Sequence, residues 1–160
     1  MSNSKLRIGI TPGLKNPSFG KMTVYITVPT INSLAVSGSG TLRTGSIQAS
    51  NLQLAVSGSG RLEVSTLQAT ELHSTVSGSG TISAAGASPT HSVSISGSGT
   101  VKADDLRSES GKVSISGSGN CRLNVTGSLD ASLRGSGNVF VTGNPTINSK
   151  TVGSGRVRRG

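Results

Sequence analysis

Residues 34–42 read LAVSGSGTL, and the piece returns as LAVSGSGRL at 54–62, STVSGSGTI at 74–82, VSISGSGTV at 93–101 and VSISGSGNC at 113–121. Worn copies follow as LRGSGNVFV at 133–141 and VGSGRVRRG at 152–160. A lone SGSG would be a flexible spacer. Here GSG begins at positions 38, 58, 78, 97, 117, 135 and 153, at steps of 20, 20, 19, 20, 18 and 18 residues. A linker has no reason to hold such a phase, so the motif marks one unit of a repeating fold.

A period near 20 is too short for a helical hairpin repeat or a propeller blade, and the Leu and Asn pattern of leucine-rich repeats is missing. The rung of a β-solenoid remains. Leu54, Val56, Gly58, Gly60, Leu62 and Val64 share one parity and are expected to point inward, while Ala55, Ser57, Ser59, Arg61 and Glu63 point out. Leu67 then follows a bend and a further short strand passes Leu72. Ala49, Leu52 and Val56 hint at a helical stripe, but Gly45 and Gly58 bound that segment too tightly. The structural repeat consists of glycine pairs: Gly38 and Gly40, Gly58 and Gly60, Gly78 and Gly80, Gly97 and Gly99, Gly117 and Gly119, Gly135 and Gly137, Gly153 and Gly155. They are expected where sheets approach too closely for a side chain or where the coil turns. Val36, Val56, Val76, Ile95 and Ile115 should stack as one internal column.

The expected fold is all-β: a single-stranded parallel β-helix of about seven rungs of about 20 residues, roughly 30 Å long at the spacing of paired strands. One solenoid domain covers 1–160, with leading strands and a loop over 1–33 and the SGSG rungs over 34–160. Leu6, Ile8 and Ile10 alternate, as do Val24, Ile26 and Val28. Between them TPGLKNPSFG has the composition of a loop, and so does AAGASPTHS at 84–92.

Composition fits a thin aliphatic interior. Hydrophobic residues make up 32% of the chain and aromatics 2%, with Tyr25, Phe19 and Phe140 the whole aromatic set. Fifteen Lys and Arg against six Asp and Glu give a net charge of +9. The cations are scattered rather than clustered, and aromatics for base stacking are lacking, so nucleic acid is not an expected partner. No apolar run is long enough to span a membrane, and the opening MSNSKLRIGITPG lacks the apolar core of a signal peptide.

The strand ending in Pro29, the short apolar segment after it and the repeated rungs resemble the putative auto-transporter adhesin, head GIN domain family. MTVYITVPTINSLAVSGSGTL, VSISGSGTVKADDL, LDASLRGSGNVFV and the closing VGSGRV carry the likeness over essentially the whole chain. The resemblance implies a right-handed parallel β-helix exported to the cell envelope. Family members carry further strands ahead of the point matching KLRIGI, so the chain looks trimmed at its front, and uncapped rungs there would permit self-association through the solenoid ends.

Parallel β-helices include polysaccharide-cleaving enzymes, whose chemistry needs paired carboxylates, or carboxylates holding Ca²⁺ beside a basic residue. The acids are Glu63, Glu71, Asp104, Asp105, Glu109 and Asp130. Asp104 and Asp105 alone are adjacent, and they read as a turn in the rung. His73 and His91 lie in different rungs and read as exposed strand or loop residues, too few for zinc. Cys121 falls on the inward parity of Leu42, Leu62, Ile82, Val101, Val139 and Val157 and reads as a small, inert core residue. No catalytic, metal or cofactor residue is therefore assigned.

Ser37, Ser39, Ser57, Ser59, Ser77, Ser79, Ser96, Ser98, Ser116 and Ser118 recur in register. Stacked rungs would set them, with Thr41 and its equivalents, in hydroxyl columns on one flat face. Small hydroxyl residues suit a solvent-facing sheet without any ligand. That plain reading comes first; they are also the candidate contact ladder for a glycan or an envelope protein, whereas ice binding would want Thr-x-Thr columns. The sequence thus points to a non-catalytic envelope module, structural or adhesive, with a polysaccharide-active enzyme as the alternative.

Overall fold

The computed structural model describes residues 31–160. The leading strands expected around Leu6–Ile10 and Val24–Val28, and the loop between them, lie outside the described residues. Ten strands follow: β1 Ser33–Gly38, β2 Thr41–Gly58, β3 Arg61–Gly78, β4 Thr81–Ala87, β5 Thr90–Gly97, β6 Thr100–Gly117, β7 Asn120–Gly135, β8 Asn138–Thr142, β9 Thr146–Gly153 and β10 Arg156–Arg159. Every pairing is parallel, and the described residues contain no helix. Each strand pairs with the chain one rung later: Thr41 opposes Arg61 and Gly58 opposes Gly78 in the β2–β3 pair. One strand coiling on itself, with its backbone groups bonded to the rungs before and after, is a parallel β-solenoid of about seven turns.

The shape of a rung follows from where side chains change sides. Along β3 the buried residues are Leu62 and Val64, then Leu67 and Ala69, then Leu72, Ser74 and Val76. Strict alternation breaks at Ser65–Thr66, at Thr70–Glu71 and at Ser77–Gly78–Ser79, where consecutive residues turn outward. A flat strand cannot reset its parity, so each break is a corner, and the rung has three faces. The first face runs from the SGSG motif, the second is the short one at Leu67–Ala69, and the third leads back to the next SGSG.

Stacking turns the inward residues into columns. Val36, Val56, Val76, Ile95, Ile115 and Leu133 succeed one another in register. All are buried, at 8% exposure for Val36 and at most 1% for the others. Leu62, Ile82, Val101, Cys121 and Val139 form a second column at 0% exposure. Among the described residues the core contains no Phe, Tyr or Trp. Each fully buried Leu, Ile or Val contributes about 1.5–3 kcal/mol of transfer free energy, so even a thin interior sums to a stable rod.

The two glycines of each motif differ in role, which corrects the expectation that both share the inward parity. The first does not point inward: Gly58 has φ 102° and Gly117 has φ 122°, a conformation L side chains rarely adopt, and it turns the corner. The second is the inward one. A Cβ on Gly60 would fall 2.6 Å from Val36 Cγ1 and 2.8 Å from Gly40 O, so only hydrogen fits beneath the stacked aliphatic of an earlier rung. The same contact recurs up the rod. A Cβ would lie 2.5 Å from Ile95 Cγ2 at Gly119, 2.6 Å from Ile115 Cγ2 at Gly137, and 3.0 Å from Leu133 Cδ2 at Gly155. Serine amides complete the corner, Ser59 N donating to Gly38 O at 3.0 Å and Ser118 N to Gly97 O at 2.9 Å.

A further expectation is corrected. The loop expected over AAGASPTHS shrinks to Ser88 and Pro89, because β4 reaches Ala87 and β5 starts at Thr90. The rung below templates both strands through Leu67↔Gly86 and Glu71↔Thr90, and this overrides local turn chemistry. Asp104 and Asp105, expected as a turn in the rung, are both exposed between buried Ala103 and Leu106, so they form the corner between the first and second faces within β6. They sit where register jumps from Ala103↔Leu123 to Arg107↔Asn124, which leaves Asp104, Asp105 and Leu106 unmatched on the next rung. The period changes from 20 to 18 residues at this step.

Candidate contact surfaces

The hydroxyl columns occupy a corner and a face rather than one plane. Ser37, Ser57, Ser77, Ser96 and Ser116 are register partners at the edge of the third face, and the column continues with Arg134 and Val152. Ser39, Ser59, Ser79, Ser98 and Ser118 lie across the corner glycine, also exposed. Thr41, Arg61, Thr81 and Thr100 belong to the next face. A column that the motif search passed over runs beside the first: Thr75, Ser94, Ser114 and Ser132, with Ala55 below them. Its signal was present in SVSIS and KVSIS, where serine alternates with buried Val and Ile. The third face from β5 to β7 is thus a lattice of small hydroxyls, broken by Arg134 on β7 and by Lys112 and Asp130 in the adjoining column.

His91 corrects an expectation. It is 0% exposed and stacks between Leu72 and Gly111 in an inward column. Its Nε2 is 3.0 Å from Ser74 Oγ, while Nδ1 and the buried Ser108 Oγ have no partner among the described residues. Burial, with a smaller contribution from His73, lowers the His91 pKa to about 4, so the ring is neutral at physiological pH. His73 lies half-buried on the outer side of β3, with Nε2 3.1 Å from Glu71 Oε1. Cys121 is fully buried, and burial pushes its thiol well above the ordinary range, which makes it a poor nucleophile.

Asp104 and Asp105 line a shallow hollow of about 220 Å³ with Lys102, Ser83, Ala84, Ala85 and Val64. Among the described residues no group of three or more His, Cys, Asp or Glu is placed to hold a metal ion. No helix there is long and apolar enough to cross a membrane.

A parallel β-solenoid whose chemistry lies on outer faces is the class these features define. The model of the family described as putative auto-transporter adhesin, head GIN domain, matches residues 1–145, and the chain belongs to that family. Solved structures repeat the architecture. A putative adhesin from Bacteroides fragilis matches at TM-score 0.77 and 27% identity, covering 82% of this chain and 61% of that one. A putative lipid binding protein from Parabacteroides distasonis matches at TM-score 0.77 and 27% identity, over 82% of this chain and 55% of that one. A putative adhesin from Parabacteroides merdae shares the fold at TM-score 0.73 and 24% identity, with 81% and 63% covered. The chain therefore spans less than two thirds of each of these proteins. No curated protein matches it by sequence.

Proposed function

We propose that the chain is a non-catalytic adhesive rod of the cell envelope that engages a glycan or an envelope protein through the third face and its serine corner. The observation that carries this reading is the register of the hydroxyls: Ser94, Ser114 and Ser132 stand beside Ser96 and Ser116 on adjacent rungs. Rungs lie about 4.8 Å apart, so an extended ligand running along the rod meets the same donor and acceptor set at every step. The family description as an adhesin supports a surface location. The lipid-binding description of the Parabacteroides distasonis relative fits less well here. The described interior is packed with side chains at 0–8% exposure, mostly aliphatic, so an acyl chain would have to lie outside it.

A glycan array probed with the chain, and repeated with Ser94→Gln/Ser114→Gln, tests the proposal. A hit lost in the variant at unchanged thermal melting supports it, and a hit indifferent to the variant sinks it. The enzyme reading rests on the hollow holding Lys102, Asp104 and Asp105. Release of reducing ends from an acidic polysaccharide, abolished by Asp104→Asn/Asp105→Asn, would replace the first reading with that one.

A further inference from the structure

Among the described residues the charge is polarised along the rod. Residues 31–105 carry three Lys and Arg against four Asp and Glu, whereas residues 106–160 carry eight against two. Register gathers part of this excess on the first face, away from the serine lattice. Lys102 opposes Arg122, Arg122 opposes Phe140 and Phe140 opposes Arg158, one outward column across four rungs. Their chain neighbours Val101, Cys121 and Val139 are buried, which fixes the column on the outside. The next column holds Asn120, Asn138 and Arg156, with Asn138 Nδ2 donating to Asn120 Oδ1 at 3.4 Å.

Stability does not ask for this arrangement. Like charges directly across a strand pair are destabilising, and Lys102 faces Arg122. Among the described residues no carboxylate pairs with Lys102, Arg122, Arg156 or Arg158, and the one acid in the column, Glu63, is held by Arg43 at 2.7 Å. The Arg122 guanidinium instead stands 5.7 Å from the centre of the Phe140 ring, which orients it without neutralising it.

We infer that this strip, from Lys102 to Arg158 on the first face, is a binding site for an extended anionic glycan, a chain bearing carboxylates or sulfates. Guanidinium groups bind those groups bidentately, and at about 4.8 Å per rung the cations recur at one-rung and two-rung intervals along a linear polymer. The amide column offers donors and acceptors for sugar hydroxyls, and the half-buried Phe140 offers an apolar patch for the C–H face of a ring. One aromatic cannot stack successive bases, and nothing in the strip provides the broad apolar surface that a lipid bilayer takes up. The face has no walls, so binding is electrostatic and gains strength from repetition.

The test titrates the full chain with polygalacturonate, with its methyl-esterified form, with phosphatidylglycerol vesicles and with single-stranded DNA. Polygalacturonate should bind and weaken steeply with added salt, and the neutral ester should not bind. Arg122→Gln/Arg158→Gln, folded by circular dichroism, should bind about 10-fold or more weakly, and Phe140→Leu a few-fold more weakly. Gln48→Ser/Gln68→Ser, at exposed positions of the second face outside both surfaces, should bind as the parent does. Equal binding of the ester, parental binding by the double arginine variant, or tighter binding of vesicles or DNA would each overturn the inference.

Discussion

Two stacked rungs, Arg61–Gly80 and Thr81–Gly99, show which parts of the pattern are fixed and which adapt. The lower rung is a single 18-residue strand, β3, closed by its SGSG corner. The upper is one residue shorter by repeat spacing, is interrupted at Ser88–Pro89, and has Gly86 at φ 128° where the register shifts. Yet both arrive together: Val76 opposes Ile95 and Gly78 opposes Gly97. The aliphatic column and the corner glycine therefore set the phase of the coil, and between these rungs the corner before the second face absorbs the difference in length. The interiors differ as well. Inward residues of the lower rung are aliphatic apart from Ser74 and the motif glycine, whereas the upper rung buries Ser88 and His91.

The harshest way to break what the two rungs share is to charge their common column. Ile95 is 1% exposed between Val76 and Ile115. Ile95→Asp buries an unpaired carboxylate there, and a loss of about 5 kcal/mol or more is expected, enough to abolish the cooperative urea transition. A variant that melted like the parent would mean that the inward assignment is inverted.

Acid probes the difference instead. The unfolded His91 takes up a proton near its ordinary pKa of 6.5, whereas the folded one resists until about pH 4. Between those values the unfolded chain binds more protons, so stability is complete above about 6.5, falls as pH falls toward about 4 and then levels off. The span corresponds to about 3 kcal/mol at 1.36 kcal/mol per pH unit. Urea midpoints at pH 7 and pH 4.5 should differ more for the parent than for His91→Leu, which restores the leucine that Leu72 carries one rung below. Equal differences would remove His91 as the acid-sensitive element.

That residue also shows where sequence ceases to inform. His91 shares the parity of Val93 and Ile95, so inward placement was legible, but Pro89 and Gly86 outvoted it with a loop signal. The decisive partner, Ser74, lies 17 residues away and is found only once the register is known. Period, strand alternation and the two main columns were legible because they repeat. The sense of the first glycine was not, since inward parity is the same on both sides of the corner, Val56 before it and Gly60 after it, and alternation alone carries Gly58 inward with them; neither was the unmatched Asp104–Leu106 segment. The serine corner was visible as a motif, whereas the basic strip joins singly placed residues that only stacking brings together.

A milder change sharpens the shared feature. Gly99 keeps the upper rung close to the lower one: a Cβ there would meet Val76 Cγ1 and lie 3.0 Å from Gly80 O. Gly99→Ala should cost about 1–3 kcal/mol in the urea transition, as overpacking does. Parental stability would show that the rungs can part, and the close-approach account of the second glycine would fail.

The smallest effect belongs to the column that both rungs extend. Cys121 succeeds Leu62, Ile82 and Val101 and precedes Val139, buried throughout. If packing alone placed a thiol there, a β-branched aliphatic should serve as well, and Cys121→Val should shift stability by less than about 1.5 kcal/mol. The parent makes the complementary measurement possible. Burial keeps the thiol protonated and out of reach, so an aromatic disulfide reagent at neutral pH should label it only at the rate at which the rungs open. Immediate labelling of the native rod would contradict the packed column. Labelling that accelerates in Gly99→Ala would tie the close contact of the glycines to the integrity of the whole stack.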